Sequence, residues 1–163
     1  MKPVPAEIVE ATWQDIAGMS ETEGKQMVTQ FNREQPYLLA FLMGIGADVL
    51  NQDEQQLLFC MGLAVWRMMA RGAGKALAQA MPKELDRADE TNTEVLQKLS
   101  RKGPGAFARE AAKLLREYNQ FEALKYVLAT LMEEVTEEED GVRDEMKGFL
   151  FFTLKTVIDA LDK

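Results

Sequence analysis

Pro36-Tyr37-Leu38-Leu39-Ala40-Phe41-Leu42-Met43-Gly44-Ile45-Gly46-Ala47-Asp48-Val49-Leu50 is a proline-opened run that is apolar almost all the way round a helix. After Asn51 comes Gln52-Asp53-Glu54-Gln55-Gln56-Leu57-Leu58-Phe59-Cys60-Met61-Gly62-Leu63-Ala64-Val65-Trp66-Arg67-Met68-Met69-Ala70-Arg71, in which apolar residues recur at intervals of three and four. Helices with so little polar face belong at the centre of a bundle, so residues 36–50 and 52–71 are expected to form its dry interior. Gly44 and Gly46 cost helix propensity and are read as points of close backbone approach. Asn51 or Asp53 is placed to cap the second of the two helices.

The same spacing runs outward in both directions. Residues 5–17 form a helix with Ile8, Val9, Trp13 and Ile16 inward and Gly18 as its stop. Ser20 with Glu23 is a capping box that opens the next helix, with Met27, Val28 and Phe31 inside. Past Gly72 the pattern weakens. An alanine-rich piece reaches Met81, and Pro82 opens a polar helix whose inner side offers little beyond Leu85, Val95, Leu96 and Leu99, with 86–93 read as a loop. Pro104 opens a helix carrying Phe107, Ala111, Leu114, Leu115 and Tyr118, and Asn119 with Glu122 caps one carrying Leu124, Val127, Leu128, Leu131 and Val135. A last helix holds Val142, Met146, Phe149, Leu150, Leu154, Val157, Ile158 and Leu161. Strand-like alternation is scarce, and the five prolines all fall where helices can begin. The expected fold is all-α, a compact bundle of about seven helices in a single domain over 1–163.

Phe31-Asn32 lies over Tyr118-Asn119, and after a one-residue gap Leu38, Leu42, Ile45 and Val49 lie over Leu124, Leu128, Leu131 and Val135. Two related helical halves, 20–71 and 104–162 joined by 72–103, account for this, as does the three-four pattern that any two amphipathic helices share.

Composition excludes much chemistry. The 163 residues contain no histidine, one cysteine (Cys60) and two serines, Ser20 and Ser100. Serine–histidine and cysteine–histidine nucleophiles, imidazole-ligated metals and cysteine knuckles are therefore unavailable. Gly72-Ala73-Gly74-Lys75 lacks the first glycine and the final hydroxyl of a phosphate loop, and Gly44-Ile45-Gly46 lacks the third glycine of a dinucleotide fingerprint. In the acidic run from Glu133 to Asp140, ending at Gly141, a calcium loop would place Thr136 first and Lys147 twelfth, the wrong residues at the two positions that matter most. No cofactor, metal or catalytic residue is expected. If the protein were an enzyme, Glu34, Tyr37 or Tyr118 beside a cleft would be the first places to look.

With 27 acidic against 19 basic side chains the net charge is -8, which argues against nucleic acid as a partner. The longest strongly apolar run, 36–47, is too short to span a membrane, no signal-like core opens the chain, and the lone cysteine fits a reducing, cytoplasmic setting. Against the acidic average, residues 101–116 hold five basic side chains, Arg101, Lys102, Arg109, Lys113 and Arg116, and one acid, Glu110. Arg109, Lys113 and Arg116 share one helix face, an expected docking surface for an acidic or phosphorylated partner. The ten methionines suggest adaptable packing, with Met43, Met61, Met68 and Phe149 lining a pocket, and Trp66 marking an interface edge. The expected function is non-catalytic: a helical interaction or scaffold protein that binds another protein or forms a homodimer. The alternative is a bundle that binds a small or lipid-like molecule.

Overall fold

A computed structural model of the protein describes residues 1–103, 105–133 and 141–163. Among these described residues eight α-helices follow one another: α1 (Ala6–Ala17), α2 (Glu21–Glu34), α3 (Pro36–Gly44), α4 (Gln52–Ala73), α5 (Pro82–Ser100), α6 (Ala106–Glu117), α7 (Phe121–Glu133) and α8 (Lys147–Leu161). A 3₁₀ turn, Asp144–Met146, leads into α8. The expected start at Pro104, the packing of Val135 and the 134–140 part of the calcium-loop comparison fall on residues outside those described.

Two of the three expected capping pairs work as read, and the third does not: α7 begins at Phe121, and Asn119 instead donates to the Met1 carbonyl and to Asp162. Ser20 accepts from the Glu23 amide while Glu23 reaches back to the Ser20 amide, and Asn51 and Glu54 make the same reciprocal pair at the start of α4. Gly18 closes α1. In α1, however, Thr12 is buried and Trp13 is turned half out to solvent.

The centre is built differently from the sequence expectation. α4 is buried from Met61 to Trp66 without interruption, as expected, but its partner in the interior is α8 rather than α3. Leu150, Phe151, Leu154, Val157 and Ile158 are fully buried, because α8 is enclosed by α4, α5 and α7. Phe151 and Phe152 meet edge-on with ring centres 5.1 Å apart, and Phe107 of α6 meets Phe151 at 5.4 Å.

α3 stops early for a backbone reason. Ile45 is extended and Gly46 takes φ 73°, a left-handed conformation that turns the chain back so that the Val49 and Leu50 amides bond to the Gly46 carbonyl. A Cβ on Gly46 would also lie 2.8 Å from Leu50 Cδ1. The remaining nine residues sit at the rim, with Leu38 and Leu42 buried and Tyr37 and Met43 exposed, and Val49 past the turn is exposed as well. Close approach of α3 and α4 is provided by Gly62, where a Cβ would fall 2.5 Å from Leu42 Cδ1, while among the described residues nothing crowds Gly44.

α5 also departs from expectation, running unbroken through 86–93. Its inner positions include Asn92, only 2% exposed, which donates to Thr156 Oγ1 (2.9 Å) and Asp159 (3.1 Å) on α8 and accepts from Lys155 (3.0 Å). A polar residue in a core position hid the period. Each of the series α2-α3-α4 and α6-α7-α8 ends in one of the two central helices. Among the described residues no helix is long and apolar enough to cross a membrane.

Candidate functional site

α6 is an outer helix that packs on α5 and α7. Its sequence, Ala-Phe-Ala-Arg-Glu-Ala-Ala-Lys-Leu-Leu-Arg-Glu, is rich in strong helix formers and sharply two-sided. Ala106, Ala111 and Leu115 face the core, and Ala108, Arg109, Ala112, Lys113, Arg116 and Glu117 face solvent. The structure thus brings Arg109, Lys113 and Arg116 onto one exposed face about 10 Å long, given 1.5 Å of rise per residue. Arg101 and Lys102 are exposed at the end of α5, just ahead of it. Lys102 pairs with Glu110 at 3.7 Å. Among the described residues Arg101, Arg109, Lys113 and Arg116 form no ion pair or hydrogen bond through their side chains. Alanines between the cations keep the face flat, so an acidic surface can approach closely and meet several fixed positive charges at once.

A second surface was not legible beforehand. Between α1, α4 and α7 lies a groove of about 690 Å³ walled by Trp13, Ile16, Leu57, Cys60, Met61 and Tyr126. Trp13 is 48% exposed, and its ring centre lies 6.4 Å from that of Tyr126. Cys60 is exposed here. The surrounding apolar walls push its thiol pKa up, and burial likewise raises that of Tyr126.

The methionine group does not converge. Met61 and Met68 are packed in the core, while Met43 is exposed on α3 and Phe149 is half-buried, so the four differ in depth. Trp66, expected at an interface edge, is 1% exposed and packs against Phe31 with ring centres 5.0 Å apart. It does lie on a different face of α4 from Cys60, but the face turned outward is that of Cys60.

The titratable groups inside the protein are tied into polar clusters. Glu54, completely buried, accepts from the Arg143 amide (2.9 Å), Arg143 Nη2 (2.7 Å) and the Asn51 amide (2.9 Å). Burial alone would raise its pKa, yet the Arg143 guanidinium and the two amides hold it below the usual carboxylate range. Arg143 Nη2 also donates to the Val49 carbonyl, and Gly141 is bonded to both Asn51 and Asp53, so this cluster fastens the approach to α8 onto the start of α4. Tyr118 donates to Asp159, which Lys155 also contacts at 2.8 Å. Burial and then the Asp159 charge drive the Tyr118 pKa far above the ordinary phenol value. Of the other residues singled out for acid–base work, Glu34 is half-buried and accepts from Gln30, and Tyr37 is exposed. Asp89 has a raised pKa because it is partly buried beside Asp86 and Glu90. Among the described residues no group of carboxylates and thiolate is placed to hold a metal ion.

Compared with protein families, with curated protein sequences and with solved structures, the chain matches none.

Proposed function

We propose that the protein is a helical interaction module that docks an acidic partner on the solvent face of α6. The observation that carries this reading is the placement of Arg109, Lys113 and Arg116 on one exposed face, with Arg101 close by in sequence and none of the four ion-paired among the described residues, in a chain whose net charge is -8. An exposed pair contributes only about 0.2–1 kcal/mol, so three or four such contacts give orientation and a fast, salt-sensitive encounter rather than tight binding by themselves. A second copy of this chain, itself acidic, is one partner of the right charge, and the mass in solution tests that case.

The half-exposed Trp13 favours a second reading, in which the apolar groove receives a hydrophobic anchor from the partner. One experiment separates the two. Partner capture is quantified side by side for the wild type, R109E/K113E and W13A, at low and at raised salt. The α6 reading expects R109E/K113E to abolish capture, W13A to retain it, and salt to weaken it. Undiminished capture by R109E/K113E would dispose of that reading, and loss with W13A alone would transfer the function to the groove.

A further inference from the structure

The end of α2, the second half of α4 and the chain that follows α4 border a cavity of about 280 Å³, just below the roughly 300–1,000 Å³ of sites that hold drug-sized ligands. Arg67, Arg71 and Lys75 bring cations to its lining, and Glu34 brings a carboxylate. Arg71 is already matched, 2.7 Å from Asp15 and bonded to Thr12. Arg67 is not. Its Nε is buried without a hydrogen-bond partner, and among the described residues no carboxylate pairs with its guanidinium. A half-buried guanidinium is normally matched by an acid or a full set of acceptors, so one left short at the edge of a cavity marks a place for an outside acceptor. Glu34 stands in the same lining and, among the described residues, is likewise matched by no cation. Gln30 holds the two charges apart: its Oε1 accepts from Arg67 Nη1 (3.2 Å) and its Nε2 donates to Glu34 Oε2 (3.3 Å). The amide thus turns its negative end to the guanidinium and its positive end to the carboxylate.

We infer that this cavity binds a small dipolar ligand of the free α-amino acid class, with a neutral apolar side chain. Such a molecule has the polarity of the Gln30 amide but carries full charges. Its carboxylate answers Arg67 and the exposed Lys75, its ammonium answers Glu34, and its side chain meets the apolar surface of Leu77. A plain anion leaves Glu34 unmatched and is repelled by it, and a plain amine is repelled by the two cations, so the lining selects the molecule that carries both charges. The site is independent of the acidic-partner reading and uses none of the three α6 cations.

The probes are free L-leucine, isocaproate, which lacks only its amino group, and isoamylamine, which lacks only its carboxylate, each titrated into the nitrogen-labelled full-length chain and followed by NMR. Leucine is expected to saturate a single site and to shift the Arg67 Nε–H, the Gln30 side-chain amide and the indole of Trp66, whose ring centre lies 6.0 Å from the Arg67 guanidinium. Isocaproate and isoamylamine should each bind at least about tenfold more weakly. R67M should weaken leucine by about tenfold or more, and E34Q should weaken leucine while leaving isocaproate unchanged or tighter. The comparison of the three probes on the wild type needs no variant to fold. The assignment is overturned by the absence of saturable shifts at those groups up to about 10 mM leucine, by isocaproate binding as well as leucine, by shifts centred instead on Trp13, or by a leucine affinity indifferent to R67M.

Discussion

Replacing Glu54 by glutamine keeps the shape of the side chain and removes its charge at the point where α4 and the approach to α8 are fastened together. The carboxylate is fully buried and accepts two backbone amides and a guanidinium, and an amide in its place must turn an N–H toward at least one of those donors. Breaking a buried ion pair from one side costs about 3–5 kcal/mol. The Arg143 side chain is 40% exposed and recovers part of its hydration, which puts the expected loss at the lower end, about 3 kcal/mol. For a chain of this size that lowers Tm by about 6–12 °C. The pH dependence has a definite sign. A folded-state pKa below the unfolded value of about 4.3 means that the stabilisation is complete above that value and is lost as pH falls through the lower, folded one. Urea unfolding followed by circular dichroism, for wild type and E54Q from pH 7 down to pH 3, should show a gap that is full at neutrality and closes in acid. A loss at pH 7 below about 0.5 kcal/mol, the scale of an ordinary surface change, or a gap that widens in acid, would refute the reasoning.

Other consequences follow from burial. W66A removes a fully enclosed ring packed on Phe31 and should cost about 3–5 kcal/mol, whereas W13A should stay within about 1 kcal/mol of wild type; denaturant midpoints compare them. Alkaline difference spectroscopy should find that Tyr118 does not ionise near pH 10 while the protein is folded; because its folded pKa is raised, stability is lost as pH climbs past the unfolded phenol value. Cys60 should be alkylated in the native state, being exposed, but more slowly at neutral pH than a free thiol because less of it is thiolate.

The fold class was legible because helical spacing persists through most of the chain, and two helix starts were legible because capping boxes are local: Ser20 with Glu23 and Asn51 with Glu54 need no tertiary information. What helical spacing cannot rank is depth. Residues 36–50 are more uniformly apolar than 147–161, yet α8 holds the centre, because the left-handed turn at Gly46 cuts α3 to nine residues while α8 keeps fifteen. Length decided the placement, and apolarity alone could not reveal it. Asn92 misled in the opposite sense, since its partners Thr156 and Asp159 lie more than sixty residues away and nothing local announces them. The α6 cations were readable for the same reason as the caps, an i, i+4, i+7 pattern within one helix. The Trp13 groove was not, because it takes three helices to form it, and the methionine pocket failed because one stretch of sequence does not say which of its methionines face one another.

Residue-resolved hydrogen exchange tests the arrangement most directly. If α4 and α8 form the dry interior and α3 and α6 lie outside it, the slowest amides of the molecule fall between 61 and 69 and between 150 and 158, and those of α3 and α6 exchange through smaller openings. Slowest exchange in α3, with α8 exchanging like an outer helix, would contradict the account.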